Sequence, residues 1–390
     1  MSLAVAWAGL GLFFIGMREI GFHLQQLGGG PLRRLVAATL NRPLVPPLAG
    51  FFSGALTQST SAVTFIAAGL VGSGTTTVRG ALPLLAWANV GTSMLVLLAA
   101  IDMRTLIYYI LGLVGLAFFS GLEQSKRLRH PLLALLGLAL LLLGLSLLKE
   151  SAGELRNNPW THEFLIFAGS AGLVAFLVGF VIATAVQSSS MVTVLALPLV
   201  HEGILDLGQV GLMIYGASVG SGFAVLILAQ GMEGAARQLA LCQAGLRGMA
   251  AMIALPLDLL EEVTGWPLVF HAIQSMTPSV AAQCGLVYLF FQLLVSGCAA
   301  VGGGWLARTA AAVSPEPQHV SRGKPAYLFD EAVQDPETAL SLAALEYRRL
   351  VSFLPEFVED LRSPEERPAD YLPLVEREAA SRTLDAAIAE

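Results

Sequence analysis

Residues Gly50–Ala100 read GFFSGALTQSTSAVTFIAAGLVGSGTTTVRGALPLLAWANVGTSMLVLLAA. Moved forward by 129 residues, this stretch falls without a gap on Gly179–Ala229, GFVIATAVQSSSMVTVLALPLVHEGILDLGQVGLMIYGASVGSGFAVLILA, with 17 of 51 positions identical. Two clusters of matches stand out. Gln58-Ser59-Thr60-Ser61 falls on Gln187-Ser188-Ser189-Ser190, and Ala88-Asn89-Val90-Gly91-Thr92 falls on Ala217-Ser218-Val219-Gly220-Ser221. Each copy sets amides and hydroxyls into an otherwise apolar run, with the second cluster 31 residues after the first Gln. Isolated Ser and Thr in membrane helices usually bond back to their own backbone or join helices. That reading accounts for one cluster and not for the repetition of both at one offset. Internal duplication points to a carrier built from two repeats that meet at one site.

Composition sets the solvent. The 390 residues are 55% hydrophobic and 13% charged, against about 25% charged in soluble domains. The chain therefore reads as an all-α polytopic membrane protein. Net charge is −6, unevenly placed: Ser314 onward holds 16 acidic and 8 basic residues, leaving 12 acidic and 14 basic for the first 313. The tail thus reads as a separate, water-facing segment, and no basic patch suggests nucleic acid. Cys242, Cys284 and Cys298 show no metal-binding spacing and read as buried thiols. No basic region precedes the first apolar run, so no cleaved signal peptide is expected.

Length arguments give the topology. The first span is roughly Leu3–Phe22, followed by a polar connection. Pro43–Val78 is 36 residues without Asp, Glu, Lys or Arg. As one helix it would reach about 54 Å at about 1.5 Å per residue, against a hydrocarbon core of roughly 30 Å. It is predicted to turn back as a re-entrant helical hairpin with its tip at Gln58–Ser61, where side-chain oxygens satisfy broken helix ends. Spans follow at Ala81–Ile101, interrupted near Asn89-Val90-Gly91, and at Thr105–Leu122. Pro131–Leu148 opens the second repeat. Phe164–Val200, 37 residues without charge, is predicted to form a second hairpin with its tip at Gln187–Ser190. Leu207–Met232, Gln238–Leu257 and Val280–Ala307 complete the count. The organisation expected is repeat 1 over 1–129, repeat 2 over 130–258, a connecting segment and last helix over 259–313, and a tail over 314–390.

About seven full crossings and two hairpins place Arg33, Arg34, Arg42, Arg79, Lys126, Arg127, Arg129, Arg237, Arg308, Arg322 and Lys324 on one side. The other side receives Asp102, Arg104, Lys149, Glu150, Glu154, Arg156, Glu202, Asp206, Asp258, Glu261 and Glu262. The basic side is cytoplasmic by the positive-inside rule, which sets the N-terminus outside and the C-terminus inside the plasma (inner) membrane. An odd number of crossings per repeat makes the repeats inverted, so the two tips approach one another from opposite faces.

The tips offer Gln58, Ser59, Thr60, Ser61, Gln187, Ser188, Ser189 and Ser190, and the helices behind them Asn89, Thr92, Ser93, Ser218 and Ser221. Hydroxyls and helix N-termini donate to an oxyanion such as phosphate or sulfate. Amide and hydroxyl oxygens suit a hard monovalent cation. Neither charge-free run titrates near neutrality, which disfavours proton coupling. An anion held there without fixed positive charge is costly, and a co-bound cation offsets the cost. Simpler roles compete: Asn89 and Ser218 as kinks, the hydroxyl clusters as helix glue. Arg247, inside Gln238–Leu257, reads first as a structural residue that snorkels or bonds a helix-end carbonyl, and second as a cation on the substrate path. Enzyme readings find no support: His162, His201 and His271 fall at span edges, and neither a Gly-x-Ser-x-Gly elbow nor a His-Glu-x-x-His motif occurs.

Two repeats, with Gln58-Ser59-Thr60-Ser61 and Gln187-Ser188-Ser189-Ser190 followed some 30 residues on by Asn89-Val90-Gly91-Thr92 and Ser218-Val219-Gly220-Ser221, resemble over roughly Met1–Leu257 the type II sodium/phosphate cotransporter family, whose pattern is Gln-Ser-Ser-Ser and then Asn-Ile-Gly-Thr. The tail segment Lys324–Leu361, with its Ala-rich stretch Pro336–Leu350, is similar to the linker and first helix of the PhoU-like domain of bacterial members, in partial form. The resemblance implies inorganic phosphate as substrate, sodium as coupling ion and no cofactor. Phosphate contacts then fall to Gln58, Ser59, Thr60, Ser61 and Gln187, Ser188, Ser189, Ser190. Sodium contacts fall to Gln58, Ser61, Asn89, Thr92, Gln187, Ser190, Thr193, Ser218 and Ser221. A homodimer is expected. Thr60 departs from the family's middle Ser, and Ser218-Val219-Gly220-Ser221 loses the amide of Asn-Ile-Gly-Thr. Another oxyanion such as sulfate, or a membrane sensor that binds phosphate without moving it, are the alternatives.

Overall fold

The computed structural model describes residues 2–39, 45–72, 76–101, 104–125, 128–156, 172–315 and 336–352. Every long element among them is a helix: α1 (Ser2–Thr39), α2 (Val45–Thr57), α3 (Thr60–Gly72), α4 (Val78–Ala100), α5 (Arg104–Phe119), α6 (Arg129–Arg156), α7 (Gly172–Val186), α8 (Ser189–His201), α9 (Leu207–Leu228), α10 (Ala235–Thr264), α11 (Phe270–Met276), α12 (Val280–Val313) and α13 (Pro336–Ser352). Lys126, Arg127, Arg42, Arg322, Lys324, the start of the second charge-free run and most of the tail lie outside the described residues. Of the expected tail helix, α13 is described.

Among the described residues, six stretches are long and apolar enough to cross a membrane: Ala4–Leu24, Val78–Ala100, Arg129–Ala152, Leu207–Leu228, Ala235–Thr264 and Val280–Val313. The chain is a multi-pass membrane protein. The seventh expected span corresponds to α5, whose 16 residues reach about 24 Å at about 1.5 Å per residue, short of the hydrocarbon core. α1 runs on to Thr39 through the stretch read as a polar connection, despite Gly28-Gly29-Gly30 and Pro31.

Both charge-free runs are broken helices. The chain leaves helical geometry at Gln58 (φ 49°) and Gln187 (φ 60°), the two non-glycine residues with positive φ among those described. Ser59 Oγ then accepts from the Ala62 amide at 3.2 Å, and Ser188 Oγ from the Met191 amide at 3.2 Å, restarting a helix each time. Thr64 returns to the Thr60 carbonyl at 2.8 Å and Thr193 to the Ser189 carbonyl at 2.9 Å. All three features, the positive-φ glutamine, the serine cap and the threonine return bond, match at the 129-residue offset, so the duplicated sequence breaks and restarts its helix alike in both copies.

Glycines set how the broken helices lie. Gly50 abuts the Leu84 backbone and Gly54 that of Ala88, so α2 and α4 advance in the same direction. Gly179 abuts Met213, and Gly216 and Gly220 abut Phe176 and Phe180, so α7 and α9 do the same. α1 and α6 run antiparallel: Gly9 meets Gly144, and Gly16 meets Gly137. α10 and α12 also run antiparallel, with Gly245 against Leu306, Gly302 against Met249, and the Gln238 amide donating to the Ser314 carbonyl at 2.7 Å. Arg79 and Arg308 line one cavity at this end, while Glu262 lies at the far end of α10.

One expectation is corrected. α4 is continuous through Asn89-Val90-Gly91 and α9 through Ser218–Ser221. Their polar side chains bond back instead of breaking the helix. Asn89 Nδ2 donates to the Leu85 carbonyl at 2.9 Å, Thr92 to the Asn89 carbonyl at 2.7 Å, Ser93 to that of Val90 at 2.6 Å and Ser221 to that of Ser218 at 3.0 Å.

Candidate functional site

The polar residues of the two repeats meet around two side chains from outside the repeated motif. Arg247, on α10, is 1% exposed. One guanidinium nitrogen donates to Ser221 Oγ at 2.6 Å and to the Ser218 carbonyl at 3.3 Å. The other donates to Thr60 Oγ1 at 2.8 Å and Asn89 Oδ1 at 2.5 Å. One cation thereby joins the first tip, the helix behind it and the matching helix of the other repeat. Asn89 Oδ1 also accepts from Gln243 Nε2 at 3.2 Å, so both of its lone pairs are engaged.

Tyr288, on α12, is the second junction. Its hydroxyl shares hydrogen bonds with Ser189 Oγ at 3.0 Å and Thr92 Oγ1 at 3.3 Å. Thr60 and Ser189 are offset equivalents, and so are Thr92 and Ser221. Two related half-sites follow. Each pairs the tip of one repeat with the helix of the other; Arg247 bridges one and Tyr288 bridges the other. Gln292, also on α12, approaches Ser218 Oγ at 3.5 Å.

The expected residues are thus brought together unevenly. Thr60, Asn89, Ser218 and Ser221 converge on Arg247, and Thr92 and Ser189 on Tyr288. Ser59 and Ser61 pair at 3.0 Å, and Ser188 and Ser190 at 3.2 Å, each within its own tip. Gln58 Nε2 donates to the Ala55 carbonyl at 2.8 Å while its Oε1 is buried without a hydrogen-bond partner. Gln187 is exposed and Gln58 half-buried, so the two matched amides occupy different surroundings. Thr193 turns back into its own helix.

Arg247, Gln243, Tyr288 and Gln292 complete the site without belonging to either repeated motif. Arg247 was visible in the sequence as a charge inside an apolar span, read first as a structural residue that snorkels or bonds a helix-end carbonyl; enclosed by both repeats it does not snorkel, and the carbonyl it bonds is that of Ser218, within α9. The site also holds a fixed positive charge, which the charge-free hairpin runs taken alone do not contain. Gln243, Tyr288 and Gln292 carried no sequence signal beyond being polar within apolar helices. Gln243 Oε1, Gln292 Oε1 and Arg247 Nε are buried without hydrogen-bond partners. The lining is rich in neutral oxygens around one guanidinium, chemistry that suits a small anion beside a monovalent cation. No group of three or more His, Cys, Asp or Glu fit to hold a metal ion occurs among the described residues.

Broken apolar helices around a buried polar centre that ties two copies of one motif together define a polytopic helical membrane protein. Comparison with known proteins gives the family: the chain belongs to the Na+/Pi-cotransporter family, whose model matches residues 12–150 and 158–278. It is 24% identical over 358 residues to YjbB of Salmonella typhimurium, provisionally named an inorganic phosphate export protein, covering 88% of this chain and 62% of that protein. YjbB of Escherichia coli K12 is likewise 24% identical over 357 residues, with 87% and 62% covered. YqeW of Bacillus subtilis, an uncharacterized protein, is 24% identical over 298 residues, covering 76% of this chain and 93% of that one. The chain therefore spans about three fifths of the length of the YjbB proteins. No solved structure matches it.

Proposed function

We propose that this protein is a secondary carrier that moves inorganic phosphate across the membrane with sodium as the coupling ion. The observation that carries the reading is the buried Arg247 guanidinium bonded to the polar clusters of both repeats. A fixed cation at the meeting point of two repeats lowers the cost of holding an oxyanion inside the membrane. Around it, the hydroxyls of Ser59, Thr60, Ser61, Ser188, Ser189 and Ser190 and the restarted helix ends supply donors suited to phosphate. Gln58, Gln187, Thr92 and Thr193 supply oxygens suited to sodium, while those of Asn89, Ser218 and Ser221 are held by Arg247. Family membership and the phosphate-export name of the YjbB relatives point to the same substrate.

In this reading the broken helices are re-entrant hairpins. The same-direction run of α2 beside α4 and of α7 beside α9 supports it, since the short helix between must then come back. The antiparallel packing of α1 on α6, the opening helices of the repeats, supports inverted topology and alternating access about the shared site. The carrier sits in the plasma (inner) membrane as a homodimer, with the N-terminus outside and the C-terminus in the cytoplasm.

The test is uptake of radiolabelled phosphate into proteoliposomes under separate sodium, potassium and proton gradients. Sodium-driven accumulation is expected. Sulfate accumulation in place of phosphate would move the substrate to another oxyanion. Phosphate binding without accumulation would make the protein a sensor.

A further inference from the structure

The geometry points to Arg247 as a tethered cation that stands where a coupling sodium would otherwise bind, so that one of the two related half-sites carries its positive charge covalently. The evidence is the ligand set. Arg247 takes an amide oxygen from Asn89, hydroxyls from Thr60 and Ser221, and the main-chain carbonyl of Ser218. Four neutral oxygens of these kinds are what a hard monovalent cation gathers when it leaves water. The guanidinium satisfies them with fixed N–H donors instead.

The companion half-site makes the contrast. Ser189 and Thr92, the offset equivalents of Thr60 and Ser221, are bridged by the Tyr288 hydroxyl, which is neutral and able both to donate and to accept. Two places alike in their tip and helix hydroxyls therefore hold one positive and one neutral bridge, and the positive one alone adds Asn89 and the Ser218 carbonyl. The occupied half-site also has no lone pair to spare at Asn89, whose oxygen already accepts from Gln243 and Arg247. A sodium ion reaching that oxygen would have to displace the arginine and face its charge in a buried setting. Occupancy by sodium and by Arg247 are mutually exclusive.

The inference rests on the sodium-coupled reading for its ion, and its test needs no phosphate. Purified protein in detergent is titrated with radiolabelled sodium. Arg247→Met and Arg247→Gln, which keep stem bulk without the charge, are expected to bind one more sodium per chain than the wild type. Added guanidinium ion should displace that extra sodium from the variants and leave the wild-type count alone. Folded neutral variants with the wild-type count would overturn the proposal. Should both fail to fold, Thr60→Val and Ser221→Ala decide, since each keeps the arginine and removes one oxygen. An unchanged sodium count and affinity supports the tether; a tenfold or larger loss of sodium affinity overturns it. Sodium on Arg247→Met but none on the wild type would support the tether while ending the sodium-coupled reading. Sodium on no form would end both.

Discussion

A methyl group on Gly91 would drive into the Phe51 carbonyl oxygen, and one on Gly220 into that of Phe180. Both obstacles are backbone, so neither can swing aside, and overpacking of this kind costs about 1–3 kcal/mol. Gly91→Ala and Gly220→Ala are expected to lower the melting temperature in detergent, while Gly115→Ala, which meets nothing within 4 Å, leaves it unchanged or slightly raised. The two positive-φ glutamines allow a sharper separation of fold from function. A left-handed conformation costs a non-glycine residue about 1–2 kcal/mol, which Gln58→Gly and Gln187→Gly relieve. Those variants should be more stable than Gln58→Ala and Gln187→Ala by about 1 kcal/mol, yet all four should lose phosphate uptake with the amide. Uptake surviving in the glycine variants would show that the glutamines shape the break and bind nothing.

At the scale of elements, α10, which closes the second repeat, and α12, which follows it, do what the broken helices do not do alone. They bring Arg247 and Tyr288 between a tip of one repeat and a helix of the other. Tyr288→Phe keeps the ring packed and removes the hydroxyl that Ser189 and Thr92 share. Losing those bonds should destabilise the protein by about 1 kcal/mol and reduce phosphate uptake roughly tenfold, equivalent to about 1.4 kcal/mol in the barrier. Uptake at the wild-type rate would make α12 a scaffold that touches the site without acting in it. The short helices α3 and α8 were legible in the sequence because a charge-free run longer than the membrane must break. The continuity of α4 and α9 was not, because a polar cluster in an apolar helix can either interrupt it or bond back to it, and only the bonds of Asn89, Thr92, Ser93 and Ser221 decide.

For the whole molecule, the antiparallel pairing of α10 with α12 sets Arg308 and Glu262 at opposite ends, both exposed. The positive-inside rule assigns the Arg308 end to the cytoplasm. In a background with Cys242, Cys284 and Cys298 replaced, Arg308→Cys should react with an impermeant thiol reagent in inverted vesicles, and Glu262→Cys in right-side-out vesicles. Reaction of both from one side would break the span count and, with it, the inverted-repeat reading of the site.

The sequence by itself determined the solvent, the duplication and the positions of the breaks. Each depends on composition or on length along the chain: apolar content demands a bilayer, an offset of 129 residues exposes a repeat, and a charge-free run too long to cross must break. Which side chains share a site is another kind of fact. Arg247 bonds Asn89 across 158 residues and Thr60 across 187, and Tyr288 meets Thr92 across 196. No local period encodes such meetings, because they arise from how glycine-lined helices pack once formed. The chain alone could therefore name the hydroxyls and amides of a binding site. Only the packed helices decided that a buried arginine holds four of their oxygens.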